Sequence, residues 1–184
     1  VTMTLPEGEV LTYGYDSQGT PISLSSNNGT RFTYVKGAWY DESGRMTNLK
    51  LGDVSGNALI TKQYGYYGWT TAINGGKLNT LVTSNSGGQT LQNLTYSYDR
   101  ASNITSIADA KAGETSTFTY DALDRLTANT VKNAANTTIF SESFTYNATT
   151  GSMASKNNLS FAYDSTHKHA VAGYDGNIYT YDAN

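Results

Sequence analysis

The sequence contains no cysteine, which excludes disulfides, thiol nucleophiles and cysteine-based metal sites. Only 15% of the residues are charged and the net charge is -3, so no basic field is present to attract a phosphate backbone. We therefore expect no nucleic-acid partner. No apolar run approaches the roughly 20 residues of a membrane-spanning helix. We therefore expect no membrane insertion by this segment.

The residues that are abundant favour strands and turns. The chain has 15 tyrosines and 18 glycines but only 2 prolines, on a background rich in Thr, Ser and Asn. Tyr and Thr favour strands, whereas Gly, Asn and Asp favour turns. Apolar residues nowhere recur at helical spacing over ten residues or more. The sequence predicts an all-β chain of short antiparallel hairpins.

A local pattern built on Tyr-Asp recurs along the chain. Its clearest copies are YDSQG, YDESGRM, YDRASNI and YDALDRL, which begin at residues 15, 40, 98 and 120. Weaker copies begin at Tyr146, Tyr163 and Tyr181, and a degenerate copy, YGYYG, covers residues 64–68. We interpret these eight copies as structural repeats. The motif residues are Tyr15, Asp16, Gly19, Tyr40, Asp41, Gly44, Arg45, Tyr98, Asp99, Tyr120, Asp121, Arg125, Tyr146, Gly151, Tyr163, Asp164, Tyr181 and Asp182.

Each part of the pattern has a physical interpretation. Aromatics two apart, such as Phe118 and Tyr120, share one face of a strand and can stack on the next hairpin. The following Asp can accept hydrogen bonds from backbone N–H groups two residues on. Glycine at the fourth position after Tyr suits a type I turn with a G1 bulge. An apolar residue six positions after Tyr, such as Met46 or Leu126, then begins the returning strand. One repeat is therefore predicted to be one hairpin.

A second pattern leaves two alternatives open. Apolar pairs such as Met46/Leu49, Leu78/Leu81 and Ile104/Ile107 are three residues apart, which places the two side chains on opposite faces of a regular strand. Either both faces are partly sheltered or a bulge intervenes.

The units YDESGRM, YDALDRLT and YDRASNIT resemble the YD repeats of the RHS family, and the resemblance extends over nearly the whole chain. This family includes bacterial polymorphic toxins, the C components of insecticidal toxin complexes, and teneurins. The resemblance implies a curved, spiralling sheet of hairpins that forms part of a hollow shell around a C-terminal toxin. Residues 1–184 are then predicted to be the YD-repeat region of a larger RHS-type protein.

The resemblance also implies function and partners. We expect a non-enzymatic structural scaffold without cofactors, from a secreted or cell-surface bacterial toxin-delivery protein. Its expected partners are the remaining RHS repeats and the enclosed toxin. Because an excised sheet has unpaired edges, we also predict self-association through those edges.

Several copies depart from the family pattern. Ser102 and Asp124 stand where the family has glycine, and because Ser tolerates the left-handed conformation less well than Asp, we predict a strained or differently shaped turn at Ser102. The arginine after the glycine is kept at Arg45 and Arg125, whereas Thr20 and Asn103 replace it elsewhere.

An alternative function is binding. Exposed aromatics of a repeat module, Trp39 and Trp69 above all, could form platforms for carbohydrates or a cell-surface receptor. Packing between hairpins is the interpretation that we favour for the aromatics, because they recur at one position of the repeat.

No catalytic or metal site is predicted. His167 and His169 lie two apart but lack a third ligand at a convincing spacing. The carboxylate pairs Asp121/Asp124 and Asp41/Glu42 could suggest acid–base catalysis, but their aspartates are explained by turn positions.

Overall fold

A computed structural model describes residues 1–27, 33–52 and 58–182. These residues form sixteen β-strands joined by turns, and the described part of the chain contains no helix that could cross a membrane. The prediction of an all-β chain of repeated antiparallel hairpins is confirmed. The strands are β1 Thr2–Thr4, β2 Val10–Tyr15, β3 Pro21–Ser26, β4 Thr33–Tyr40, β5 Met46–Gly52, β6 Ala58–Tyr66, β7 Leu78–Asn85, β8 Thr90–Tyr98, β9 Ile104–Asp109, β10 Glu114–Tyr120, β11 Leu126–Asn133, β12 Thr138–Tyr146, β13 Met153–Lys156, β14 Leu159–Tyr163, β15 Val171–Tyr174 and β16 Asn177–Ile178.

The chain divides into two compact units. The first contains residues 1–97 and 108–113, and the second contains residues 98–107 and 114–184. Within each unit the strands hydrogen-bond in the order of the sequence, so each strand pairs with the one before it and the one after it. This meander is the arrangement expected when short turns connect every pair of neighbours.

A β-bulge next to the motif tyrosine resolves the apolar pairs that are three residues apart. Tyr40 pairs with Met46 whereas Trp39 pairs with Asn48, so one extra residue is inserted in β5. The same shift occurs where Tyr66 pairs with Leu78. Because one inserted residue reverses the alternation, Met46 and Leu49 come to the same face. The bulge alternative is therefore confirmed, and both faces of β5 and β9 are also partly buried.

In the second unit the apolar side chains meet on this face. Ile104, Ile107, Phe118, Tyr120 and Leu126 surround a shallow hollow of about 200 Å³. The opposite face of the β10–β11 hairpin carries threonines, since Thr117 pairs with Thr130 and the hydroxyls of Thr119 and Thr127 lie 2.9 Å apart. The sheet is thus amphipathic, with alternation of the kind that antiparallel sheets show.

The described residues bury little apolar surface. Ala38, at 6% exposure, is the buried hydrophobic residue among them. The hairpins are therefore stabilised mainly by strand pairing and by contacts between neighbouring repeats.

Candidate functional site

The aspartate of each clear Tyr-Asp copy closes its turn by binding the backbone ahead of it. One oxygen of Asp41, Oδ1, accepts the N–H groups of Ser43 and Arg45, both at 3.0 Å. Asp16 and Asp121 bind the equivalent pairs of N–H groups at 2.8–3.0 Å. These bonds satisfy donors that the tight reversal leaves without a strand partner.

Two backbone bonds give the turns one shape. The Asp41 N–H donates to the Arg45 carbonyl at 2.9 Å, and the Gly44 N–H donates to the Asp41 carbonyl at 2.9 Å. Gly44 has a φ of 76°, so this is the type I turn with a G1 bulge that the sequence pattern predicts. Gly19, at a φ of 82°, has the same role in the first copy.

Ser102 occupies the glycine position with a φ of 78°. Its N–H donates to the Asp99 carbonyl at 3.2 Å, and the Asp99 N–H donates to the Asn103 carbonyl at 3.0 Å. Of the two expectations for this turn, a different shape is wrong because the closing bonds are unchanged. The strain remains, since a left-handed serine is disfavoured.

We therefore expect Ser102→Gly to raise the free energy of unfolding by about 0.5–1 kcal/mol, because the relief of left-handed strain exceeds the added chain entropy of glycine. The matched control is Gly44→Ser, which introduces the same strain into a turn of the same shape and should lower stability. Urea denaturation of both variants measures the two changes. A loss of stability in Ser102→Gly would contradict the interpretation.

The motif tyrosines bind the hairpin that precedes them. The Tyr120 hydroxyl donates to the Ile104 carbonyl at 2.7 Å, and the Tyr146 hydroxyl donates to the Leu126 carbonyl at 2.8 Å. In each case the acceptor begins the returning strand of the preceding repeat. The other tyrosines with this bond are Tyr40 to Pro21, Tyr66 to Met46, Tyr163 to Met153 and Tyr181 to Val171. The recurring contact of the motif tyrosines is therefore hydroxyl on carbonyl, and ring stacking of the expected kind occurs where Phe161 lies 4.3 Å from Tyr174 between ring centroids.

The residue after the glycine position reaches the next turn. The Arg45 guanidinium donates from Nη1 to the Gly76 carbonyl at 2.8 Å and lies over the Tyr66 ring, 4.3 Å from its centroid. Its Nε and Nη2 bind Asp41 Oδ2 at 2.8 and 2.7 Å. This group thus joins its own turn to the next hairpin through an ion pair, a hydrogen bond and a cation–π contact.

Arg125 repeats this arrangement in the second unit. It pairs with Asp121 Oδ2, lies 4.4 Å from the Tyr146 ring centroid and donates to the Gly151 carbonyl at 3.4 Å. Asn103 also joins its own turn to the next one, although its side chain is shorter than arginine. Its Nδ2 donates to Asp99 Oδ2 at 3.1 Å and to Asp124 Oδ1 at 2.7 Å.

The electrostatics follow from these contacts. The Arg45 side chain holds the pKa of the Asp41 carboxyl below its ordinary value, and the Arg45 backbone N–H adds to this effect. The Arg125 side chain lowers the pKa of Asp121 in the same way. Burial raises the pKa of the Tyr120 hydroxyl, and the Asp99 carboxylate contributes in the same direction. These aspartates are held ionised as structural acceptors, which is the opposite of the tuning that a general acid requires.

The weaker copies differ in loop length. In the degenerate copy, the Tyr67 N–H donates to the Lys77 carbonyl and the Gly76 N–H to the Tyr67 carbonyl, so the same two bonds close a longer loop. The Asn147 N–H donates to the Ser152 carbonyl, one residue further than in the clear copies.

The last copies are looser. The Asp164 N–H donates to the Ala170 carbonyl, and Asp164 Oδ1 accepts the N–H groups of Thr166 and His167 at 2.8 and 2.7 Å. Tyr181, which is 47% exposed, and Asp182 follow the final strand. His167 Nδ1 lies 3.2 Å from Asp164 Oδ1. Within residues 1–27, 33–52 and 58–182, no group of three metal-ligating side chains occurs.

Both tryptophans are exposed, and both also pack against the chain. Trp69 is 65% exposed, lies 4.6 Å from the Arg45 guanidinium and covers Gly76, where a Cβ would lie 2.2 Å from its ring. Trp39 is 47% exposed, and its ring covers Gly37. Two described hollows are lined by Trp39, and Trp69 lines neither of them.

A second set of turns, which the Tyr-Asp pattern does not mark, lies at the other end of the hairpins. Asn85 Oδ1 accepts the N–H groups of Gly87 and Gln89, and Asn133 Oδ1 accepts those of Ala135 and Thr137. Asn136 takes the left-handed position with a φ of 60°. The signal was present as NSGGQ and NAANT, which repeat the turn grammar with Asn in place of Asp.

Comparison with known proteins gives one family and one fold. The family model described as RHS Repeat matches residues 98–138. The crystal structure of TcdB2-TccC3-TEV matches with a TM-score of 0.72 and 18% identity, over 94% of this chain and 9% of that one. TcdB2-TccC3 without its hypervariable C-terminal region matches with a TM-score of 0.73 and 18% identity, over 94% of this chain and 10% of that one.

A Tc holotoxin pore of Photorhabdus luminescens matches less closely, with a TM-score of 0.55 and 14% identity over 93% of this chain and 11% of that one. No curated protein is a significant match to the sequence. The chain therefore spans about a tenth of the length of these solved structures. The matched repeat at residues 98–138, the recurring Tyr-Asp hairpins and the shared fold together support an RHS-type, YD-repeat protein.

Proposed function

We propose that this chain is a non-enzymatic wall segment of a β-hairpin shell, and that the shell encloses a C-terminal toxin polypeptide of a longer protein. The observation that carries the proposal is strand pairing in sequence order without a closed core in the described residues. Such a sheet gains stability only by adding further hairpins at its edges. The neighbours by fold support this, because they match over almost all of this chain with only a tenth of their own length.

The contacts between repeats suit a wall better than a catalytic site. The carboxylates that could serve acid–base chemistry are Asp41 and Asp121, and each is bound by two backbone N–H groups and an arginine. Arg45 and Arg125 each tie one turn to the next. The proposed partners are the remaining repeats and the enclosed polypeptide, in a secreted bacterial toxin-delivery setting like that of the Tc toxin components. The terminal strands β1 and β16 are short and exposed, and we propose that the isolated chain self-associates at these edges.

The test is protease protection in the longer protein. We expect its C-terminal polypeptide to resist digestion while the repeats are folded, and to become sensitive at the denaturant concentration that unfolds them. The same polypeptide expressed alone is the matched control, because it measures resistance that does not depend on the repeats. Digestion at the rate of this control would contradict enclosure.

That contrary result would favour the second candidate, binding of a carbohydrate or a receptor through exposed aromatics. Trp39 supports it, because the ring is 47% exposed at the rim of a hollow of about 650 Å³ that also contains Tyr40 and Asp41. Aromatic rings beside carboxylates can bind sugars. Loss of glycan-array or receptor binding in Trp39→Ala would establish this function.

A further inference from the structure

The hollow beside Trp39 lies between the first two Tyr-Asp turns of the first unit. Its volume is about 650 Å³, within the range of small-ligand sites. Residues of the first turn, Asp16 and Thr20, and of the second, Tyr40 and Gly44, line it. Among the residues that the structure describes, no Lys or Arg lines it, whereas Asp16, Asp41 and Glu42 do. The hollow is therefore acidic and has an aromatic wall.

The corresponding space after the second turn is filled by the chain itself. There the Arg45 guanidinium binds Asp41 Oδ2, lies 4.3 Å from the Tyr66 centroid and donates to the Gly76 carbonyl. Three elements hold it: the carboxylate of its own turn, the tyrosine of the next repeat and the glycine carbonyl of the next turn.

Arg125 is held by the same three elements in the second unit, namely Asp121, Tyr146 and Gly151. Two independent copies of the repeat thus show what this constellation binds. In both copies it binds a guanidinium.

In the first copy the three elements are present without the arginine. Asp16, Tyr40 and Gly44 stand at the positions of Asp41, Tyr66 and Gly76, and all three line the hollow. The residue at the arginine position is Thr20, whose N–H donates to Asp16 Oδ1 at 2.8 Å just as the Arg45 N–H donates to Asp41 Oδ1. The backbone of the turn is therefore unchanged, and only the long side chain is missing.

We propose that this hollow is a guanidinium site, which takes an arginine side chain from another segment or chain. Asp16 Oδ2 forms the ion pair, the Tyr40 ring stacks on the guanidinium plane, and the Gly44 carbonyl accepts a hydrogen bond. Arginine is favoured over lysine because a planar fork can bind a carboxylate and stack on a ring at once. The site depends on the repeat geometry and is independent of whether the shell encloses a toxin.

The first experiment is a titration of the 184-residue protein with N-acetyl-arginine amide, followed through the backbone amide NMR signals of Thr20 and Gly44 and the Trp39 indole. We expect saturable shifts, with affinity about fivefold higher than for N-acetyl-lysine amide. Asp16→Asn should abolish this preference. Equal affinities for the two amides, or shifts that do not saturate, would overturn the proposal.

The second experiment fills the site from within. Thr20→Arg should raise the thermal midpoint by about 3 °C and remove binding of the arginine amide. The matched control is Thr137→Arg, because Thr137 has the same turn position but follows Asn133 in place of an aspartate, with its N–H 3.0 Å from Asn133 Oδ1. The control should leave both the midpoint and the binding unchanged. A Thr20→Arg protein that binds the amide like the wild type, or that melts no higher than the control, would show that the hollow does not hold a guanidinium.

Two sources of the arginine are distinguishable in the longer protein. If an arginine of the same protein fills the hollow, the probe will bind the 184-residue chain but not the longer protein. If a separate partner supplies it, the probe will bind both.

Discussion

Replacement of Tyr120 by alanine is expected to lower the free energy of unfolding by about 3 kcal/mol, as for other large-to-small changes at packed aromatic positions. The ring lies with Ile104, Ile107, Phe118 and Leu126 around one hollow, and its hydroxyl binds the Ile104 carbonyl at 2.7 Å. The substitution removes the packing against its own and the preceding hairpin, together with the hydrogen bond to the preceding hairpin. Chemical denaturation measures the loss.

Tyr120→Phe separates the two contributions. It keeps the ring and removes only the hydroxyl, so we expect a loss of about 1 kcal/mol, typical of one hydrogen bond. Tyr15→Ala provides a second control, because that motif tyrosine is 44% exposed and should contribute less. A loss below about 1 kcal/mol in Tyr120→Ala would mean that the ring is not a packing element.

The second large effect is expected for Arg45→Ala, which should cost about 2 kcal/mol. The change removes an ion pair with Asp41, cation–π contacts with Tyr66 and Trp69, and the hydrogen bond to Gly76. Partly buried cation–π and charge-assisted contacts each contribute about 1 kcal/mol, although they do not add fully. The change in unfolding free energy, measured in urea at low and at high salt, tests the estimate.

Two further variants make this prediction specific. Arg45→Lys keeps the charge but loses the fork, so it should recover less than half of the loss. Arg125→Ala should cost less than Arg45→Ala, because its bond to the Gly151 carbonyl is 3.4 Å long, against 2.8 Å for Arg45 to Gly76. Equal losses for the two alanine variants would show that neither the shorter bond nor the contact with Trp69 contributes.

The turns could be predicted from the sequence because their interactions are local. Asp41 binds N–H groups two and four residues ahead, and Gly44 supplies the positive φ three residues after it. Such contacts depend only on residue types at fixed short spacing. The Asn85 and Asn133 turns obey the same rule, although the Tyr that marks the other copies does not precede them.

The contacts between hairpins could not be predicted in this way. The hydrogen bond from Tyr120 to Ile104 joins residues that are 16 positions apart, so it depends on the register between their strands. A bulge of one residue moves every side chain beyond it to the other face of the sheet. The loop from Tyr67 to Lys77 returns Trp69 to Arg45, and no local pattern specifies that return. The hollow beside Trp39 likewise depends on how turns that are distant in the sequence lie in space.

The tyrosine hydroxyl bonds also give the chain a direction of assembly. The bonds of the motif tyrosines run from a later hairpin to an earlier hairpin, as from Tyr66 to Met46 and from Tyr146 to Leu126, whereas the Tyr67 hydroxyl donates forward to the Tyr96 carbonyl. During synthesis from the N-terminus, each motif tyrosine that forms this backward bond therefore meets an acceptor that has already been made. The sheet can grow at its newest edge as the chain leaves the ribosome, without waiting for residues still to be translated.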